Sequence, residues 1–157
     1  MLFRSVVAAR ALQAEGRLRR ALVVDLDVHQ GDGTASILAG DPSVFTFSMH
    51  AERCYPYRKQ QSDLDVALPD GTDDAEYLDR LEEALERTLS QIRPELVFYL
   101  AGADPYLFDR FGRLGLTKEG LSQRDRLVFD WSASRGLPLA VSMAGDRKST
   151  RLNSSHQ

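Results

Sequence analysis

A cluster of acidic side chains and one histidine follows an apolar run in the segment VVDLDVHQGDGT, residues 23–34. Where a strand ends, alternate side chains point the same way, so Asp27 and His29 can approach one cation together. Asp104, which follows a later apolar run, can supply a third ligand. Two carboxylates and a neutral imidazole leave one coordination position open, which is what a catalytic Zn²⁺ needs. The pattern therefore predicts a metal centre that polarises an amide carbonyl and lowers the pKa of a bound water.

The segments that must position these ligands alternate between apolar runs and helical periodicity. Strands are predicted over residues 21–26, 44–49, 64–68, 96–101 and 139–143, and helices over residues 6–16, 34–38, 73–91 and 117–136. Such alternation predicts an α/β domain with a mainly parallel sheet and flanking helices. Right-handed crossovers place the carboxyl ends of the strands on one edge, where open α/β sheets hold their ligands. We therefore expect residues 25–32, residues 48–50 and Asp104 to meet at that edge.

The composition is that of a soluble globular domain. The chain has 157 residues, of which 43% are apolar and 27% charged, an ordinary balance for one domain. A net charge of -3 does not suggest a surface for nucleic acid or an anionic membrane. No apolar run reaches the ~20 residues of a membrane span, and nothing near Met1 has the pattern of a signal peptide. Because Cys54 is the single cysteine, an intramolecular disulfide is excluded and the cytoplasm is the expected compartment.

We interpret the two ends of the chain as translated adaptor sequence and not as part of the natural protein. Residues 2–5 back-translate as CTC TTC CGA TCT, which is the reverse complement of AGATCGGAAGAG. Residues 145–149 back-translate as GGA GAT CGG AAG AGC, which contains that same string. This string is a common sequencing-adaptor sequence. We therefore expect residues 1–5 and 146–157 to be adaptor-derived and residues 6–145 to be a partial natural domain.

Four segments together resemble the histone deacetylase superfamily, which includes bacterial acetylpolyamine amidohydrolases. VVDLDVHQGDGT resembles its metal-binding signature, and VFTFSMH resembles the strand and loop that follow. YLAGADPYLFDRFGRLGLT resembles the segment with the third ligand, and AVSMAG resembles the start of its Gly-Gly-Tyr segment. The segment SMHAERCYPYRKQQSDLDV is similar to the bacterial and class IV-like branch. The resemblance covers nearly all of residues 6–145 and implies an arginase/deacetylase-like three-layer α/β fold, incomplete at both ends.

The resemblance also implies roles for the acidic cluster. Asp27, His29 and Asp104 match ligands of Zn²⁺, with Fe²⁺ as an alternative metal. Asp25 and Asp32 match acids that hydrogen-bond a His-His dyad, which serves as general base and general acid in the family. The dyad would precede this segment, and the sequence has no histidine before His29. The two acids are thus expected to lack their partners in this chain.

Two further positions are implied at the periphery of the site. Ser48 matches a residue near a structural monovalent-cation site, for K⁺ or Na⁺, which also uses oxygens around Asp25, Asp27 and His29. Tyr55 matches an aromatic wall of the tunnel that holds the acyl-lysine chain. Both assignments come from the resemblance and not from spacing.

The reaction that the resemblance implies is hydrolysis of an N-acetyl amide by metal-activated water, with an active-site tyrosine at the oxyanion. The substrate would be an acetylated protein lysine, an acetylated polyamine or a small molecule. Where the family has Gly-Gly-Tyr, this chain has Gly145, Asp146 and Arg147. Because both the dyad and this tyrosine are missing, we expect the 157-residue chain itself to be inactive.

Two other functions compete with this interpretation. An apolar strand followed by Asp-x-Asp is also the first motif of Mg²⁺ phosphohydrolases of the haloacid dehalogenase type, in which Asp25 would be the nucleophile. That alternative explains neither His29 nor the AGADP segment. The second is a non-catalytic fragment that binds a metal. For the side chains nearby, we expect His50 to be a loop residue rather than a ligand, and Cys54 to have no nucleophilic role.

Overall fold

The structure, a computed structural model, describes residues 4–145. Its helices are α1 (Arg4–Ala14), α2 (Asp32–Ile37), α3 (Asp74–Gln91) and α4 (Lys118–Ser134), and its strands are β1 (Ala21–Asp25), β2 (Val44–Ala51), β3 (Leu64–Leu68), β4 (Leu96–Gly102) and β5 (Leu139–Ala144). Within the described part of the chain, no helix is both long enough and apolar enough to span a bilayer.

The five strands form one sheet in the order β3-β2-β1-β4-β5, and every pairing is parallel. The predicted α/β fold with a parallel sheet is therefore confirmed. Strand β1 is central, and its last residue, Asp25, is in register with Ser48 of β2 and Leu100 of β4. The carboxyl ends of the three central strands thus lie side by side, as the crossover rule requires.

Both faces of the sheet are covered near its centre, which makes three layers. Alternate residues of β1 point to opposite faces. Leu22 and Val24 pack in one apolar cluster with the buried residues of α3 and α4, whereas Val23 packs in a second cluster with Val6 and Ala9 of α1. A strand covered on both sides is expected to be apolar, as residues 21–24 of β1 are.

Side-chain caps mark the starts of the two long helices. The Asp73 side chain accepts the Glu76 N–H at 3.0 Å at the start of α3. The Thr117 hydroxyl accepts the Gly120 N–H at 3.0 Å at the start of α4. A side-chain oxygen at this position satisfies a backbone donor that has no partner within the helix. The caps therefore set where each helix begins, and with it where the preceding loop ends.

Strand β2 is longer than predicted. His50 was expected to open a loop, but it pairs in register with Ala67 of β3, and the Ala51 N–H donates to Val28 O at 2.9 Å. The strand therefore continues to the edge of the site and fixes the segment that follows β1.

Helix α1 begins at Arg4, within the first predicted adaptor segment. The predicted adaptor segment 146–157 lies outside the described residues, and the adaptor interpretation stays a prediction.

Candidate metal centre

Three side chains from two strand ends converge at the carboxyl edge of the sheet. One ligating atom from each of Asp27, His29 and Asp104 lies within 4.8 Å of the other two. His29 Nδ1 is 3.0 Å from Asp27 Oδ1 and 3.2 Å from Asp104 Oδ2. Asp27 and His29 follow β1, whereas Asp104 follows β4, the neighbouring strand. The structure thus brings together the three residues that the sequence singled out as metal ligands.

Backbone hydrogen bonds hold the carboxylates in place. Asp25 Oδ1 accepts the Asp27 N–H at 3.1 Å, and Asp27 Oδ1 accepts the His29 N–H at 2.9 Å. Asp104 Oδ1 accepts the Val28 N–H at 2.9 Å, which ties the loop after β4 to the loop after β1. Each acid therefore uses one oxygen to order the backbone of the cluster. For Asp104 this leaves Oδ2 directed at the imidazole.

Two glycines allow this close approach. A Cβ on Gly102 would lie 2.5 Å from Asp27 Cα, and a Cβ on Gly31 would lie 2.4 Å from Asp25 Oδ2. Neither distance is sterically allowed. Gly31 is not required for its backbone conformation, because its φ of -72° is accessible to any residue. Its requirement is instead space for the Asp25 carboxyl.

The site concentrates negative charge around one imidazole. Burial, and then the neighbouring Asp27 charge, raise the pKa of Asp25 to about 8. Hydrogen bonds to Asp104 and to Asp27 raise the pKa of His29 to about 9. The raised pKa of His29 indicates that the two adjacent carboxylates favour a positive charge at this position. A divalent cation held by the same three side chains would satisfy that requirement, so the residues present fit a metal ion of the Zn²⁺ or Fe²⁺ type.

An open cavity of about 590 Å³ lies over the three candidate ligands. Tyr55, Leu100 and Gly145 share its lining with Asp25. Tyr55, the predicted wall of the acyl tunnel, is thus at the cavity, with 56% of its surface exposed. The cavity is large enough to admit a small amide together with water.

The remaining predicted positions surround the cluster. Ser48 is buried beside Asp25, and its Oγ accepts the Gly31 N–H at 3.3 Å and lies 3.0 Å from His50 Nδ1. His50 is thus a buried strand residue that contacts Ser48 and is not one of the three converging side chains. Asp32 is the first residue of α2 and accepts the Gly33 N–H at 2.7 Å. Asp32 is near enough to Asp25 to raise its pKa, but it is not among the described residues that line the cavity.

Sequence reasoning missed a buried arginine beneath the site. Arg124 of α4 is 2% exposed, and its Nη1 donates to Gly102 O at 2.6 Å. Its Nε and Nη2 donate to Asp125 Oδ1 at 2.9 and 2.7 Å. The arginine therefore fixes the end of β4 two residues before Asp104. A signal for it was present, because Arg124 falls between Gly120 and Val128 on the otherwise uncharged buried face of the helix.

A second missed residue is Gln30, which lines the cavity and is 2% exposed. Its side chain donates to Gln60 O at 2.7 Å and to Asp65 Oδ1 at 2.9 Å, and it accepts the Gln60 N–H at 2.8 Å. These hydrogen bonds connect the segment after β1, which carries Asp27 and His29, to the long segment before β3. Nothing in the local sequence around Gln30 indicates this connection, since its partners lie at least 30 residues away.

Comparisons with known proteins agree with this geometry. The histone deacetylase domain matches residues 2–155. The chain is 52% identical over 139 residues to an uncharacterized protein of Picosynechococcus sp., covering 88% of this chain and 46% of that protein. It is 36% identical over 132 residues to histone deacetylase 2 of Arabidopsis thaliana, covering 82% of this chain and 34% of that one.

The fold of this chain is also similar to that of a solved structure. The acetylpolyamine aminohydrolase from Burkholderia pseudomallei superposes with a TM-score of 0.76 at 26% identity, over 90% of this chain and 43% of that chain. The chain therefore spans less than half the length of each of these three proteins. Both the sequence match, which takes in the acidic cluster, and the shared parallel sheet lead to one conclusion: the chain belongs to the histone deacetylase family.

Proposed function

We propose that this chain carries the metal-binding part of a deacetylase that hydrolyses N-acetyl amides. The observation that carries the proposal is the convergence of Asp27, His29 and Asp104 within 4.8 Å at the carboxyl edge of the parallel sheet. When bound there, Zn²⁺ or Fe²⁺ would polarise the acetyl carbonyl and lower the pKa of a water toward ~7. The family membership and the open cavity above the three side chains support this reaction class.

The residues around the ligands have positioning roles in this proposal. Asp25 is 5% exposed and accepts the Asp27 N–H, so it orders the segment that carries Asp27 and His29. With Asp32 it would also accept hydrogen bonds from a His-His dyad. Tyr55 lines the cavity and would contact the chain of the acylated substrate. Ser48, which is buried next to Asp25, stays the predicted marker of a K⁺ or Na⁺ site.

Proton transfer is the step for which the described residues offer no second imidazole at the cavity. Of the described residues that line the cavity, His29 is the sole imidazole, and metal binding would occupy its Nδ1. A positioned general acid is typically worth 10²–10⁴-fold, and an oxyanion donor roughly another 10²–10³-fold. We therefore propose that the 157-residue chain alone binds metal but has little turnover.

The substrate is proposed from the printed names of relatives. One is a histone deacetylase and another is an acetylpolyamine aminohydrolase, so acetylated lysine, acetylated polyamine and a related small molecule are the candidates. The phosphohydrolase alternative receives no support, since the Asp25 carboxyl that would act as nucleophile is buried and bonded to the Asp27 N–H. A non-catalytic metal-binding role remains the second candidate for this chain by itself.

Metal titration of purified variants tests the proposal. The wild type should bind about one equivalent of Zn²⁺, whereas Asp27→Asn, His29→Ala and Asp104→Asn should each weaken binding by more than about tenfold, because each removes one of three ligands. Asp130→Asn, which removes an exposed charge from α4, is the matched control and should bind as the wild type does. Circular dichroism should show all variants folded. Unchanged Zn²⁺ binding in the three site variants would refute the proposed metal centre.

A further inference from the structure

A second cleft, of about 430 Å³, adjoins the metal centre. His29 and Tyr55 line both this cleft and the cavity over the candidate ligands, so the two spaces are adjacent. Three arginines and two more aromatic side chains also line it: Arg53, Arg110, Arg113, Tyr57 and Phe111. A substrate that reaches the metal centre from this side must pass a basic and aromatic surface.

The positive charge of the cleft is only partly neutralised. Arg113 forms an ion pair with Asp70 at 3.0 Å. Within residues 4–145, neither Arg53 nor Arg110 has a carboxylate oxygen within 4 Å, although the Arg110 guanidinium carbon lies 5.7 Å from the centroid of the Phe111 ring. No acidic side chain is among the described residues that line the cleft. Two guanidinium groups are thus available to an anion.

The loops that carry these arginines are held by hydrogen bonds. The Cys54 thiol donates to Phe111 O at 3.5 Å, which joins the loop after β2 to the loop after β4. Asp109 Oδ1 accepts the N–H groups of Phe111 and Gly112 at 2.7 and 2.8 Å. Lys59 Nζ donates to the Cys54 carbonyl oxygen at 2.5 Å. A preformed surface of this kind binds with a smaller loss of conformational entropy than a loop that must order.

We propose that this cleft binds a carboxylate carried by the non-reacting part of the substrate. The inference rests on the proposed deacetylase function and specifies the substrate: an N-acetyl amide with an acidic group beyond the acyl-bearing chain. Guanidinium groups pair with carboxylates through two parallel hydrogen bonds, and their charge disfavours a polyamine or a lysine-rich peptide. Tyr55 and Tyr57, whose rings are 6.3 Å apart and edge to face, offer apolar surface to the connecting chain.

Four peptides test this inference against the Zn²⁺-loaded 157-residue chain. Each has a central lysine, acetylated or not, flanked by two glutamates or by two lysines, and binding is measured by calorimetry at about 10 mM salt, where the Debye length is ~30 Å. Two partly exposed ion pairs should make the acidic acetyl-peptide bind up to about tenfold more tightly than the basic one. The double variant Arg53→Gln/Arg110→Gln should reduce this ratio to about twofold or less, and about 1 M salt should do the same.

The matched control is Arg87→Gln, an equal loss of charge at an exposed site on α3, which should keep the wild-type ratio. Equal or tighter binding of the basic acetyl-peptide, a preference that survives in the double variant, or no measurable binding of any peptide would overturn the inference. A charge preference that does not depend on acetylation would support the cleft and count against the deacetylase function. Acetyl-dependent binding without a charge preference would support the deacetylase function and count against the carboxylate-binding cleft.

Discussion

Strands β1 and β5 have similar sequences and different surroundings. ALVVD in β1 is buried at every residue, whereas LAVSMA in β5 is half-buried or exposed throughout, with 50% of Val141 and 83% of Met143 accessible. Strand β1 lies between β2 and β4, but β5 is the last strand of the described sheet. Both sequences are apolar runs typical of strands covered on two faces. Burial is therefore a property of the neighbours of a strand and not of its own residues.

The candidate metal centre combines both regions. Its proposed ligands follow β1 and β4, where buried packing and backbone hydrogen bonds determine their positions. One wall of the cavity comes from Ala144 and Gly145, at the end of exposed β5. The Ala103 N–H donates to Ala144 O at 3.0 Å, so the end of this weakly covered strand directly contacts the segment that carries Asp104. We therefore expect the ends of β1 and β4, which form the floor of the site, to be rigid. The wall formed by Ala144 and Gly145 should be the less stable part of the site.

The largest difference between the two regions should appear when a side chain is truncated in each. Leu22 of β1 is 0% exposed, so Leu22→Ala leaves a cavity and should lower the free energy of unfolding by about 2–5 kcal/mol. Met143→Ala in β5 should change it by less than ~0.5 kcal/mol, because the side chain is already in water. Urea unfolding followed by Trp131 fluorescence measures both. Equal losses in the two variants would mean that β5 is covered in solution.

An intermediate effect is expected where the end of β4 meets the proposed metal ligands. In Gly102→Ala the new methyl group would overlap Asp27 Cα, at 2.5 Å, and Leu26 O, at 2.9 Å. Overpacking of this kind typically costs about 1–3 kcal/mol, and the displaced ligand loop should also weaken Zn²⁺ binding. Ala103→Ser, at an exposed neighbouring position, is the control and should leave both quantities unchanged. Wild-type Zn²⁺ affinity in Gly102→Ala would show that the ligand loop can move without loss.

A pH effect should come from the buried part of the sheet. His50 of β2 is 2% exposed, and burial lowers its pKa to about 4. The unfolded chain, with an ordinary histidine pKa of ~6.5, binds the proton more readily, so stability falls as pH decreases from ~6.5 toward 4. Between about pH 7 and pH 5 the expected loss is about 2 kcal/mol.

The variant His50→Asn isolates this contribution when its unfolding free energy is compared with the wild type at each pH. The comparison removes the effect of other groups, including Asp25, whose raised pKa acts in the opposite direction. The wild type should lose stability relative to the variant as pH falls. A difference that stays constant from about pH 7 to pH 5 would mean that His50 is solvated in the folded state.

Much of the site was predictable because parallel strands place their carboxyl ends together. The register of β1 with β2 and β4 brings Asp25, Ser48 and Asp104 to one edge, although Asp104 is 76 residues from Val28, to which it is bonded. The sequence contained the required signals: an apolar run, then polar residues, in each strand. The rule that right-handed crossovers place the carboxyl ends of parallel strands on one edge then predicts that these polar residues meet, without any information on side-chain contacts.

The features that sequence reasoning missed depend on contacts between distant loops. The basic cleft lies between two loops that are in contact where the Cys54 thiol donates to Phe111 O, and its arginines form no motif in the sequence. The role of Arg124 depends on α4 crossing beneath the end of β4 at Gly102. Exposure of β5 was likewise not encoded in its apolar residues, since no local pattern states which neighbours a strand has.

The smallest effect on stability, with a larger effect on solubility, is expected from a charge on β5. Met143→Lys should change the free energy of unfolding by less than ~0.5 kcal/mol, because the side chain is 83% exposed. A lysine on an edge strand also opposes pairing with the edge of another molecule, so aggregation measured by light scattering should slow. Ser122→Lys, at an exposed position on α4, adds the same charge away from the edge and should leave the aggregation rate near that of the wild type. If Met143→Lys instead cost more than about 1.5 kcal/mol, the strand would have to be buried in solution, since an exposed position does not penalise a charge to that extent.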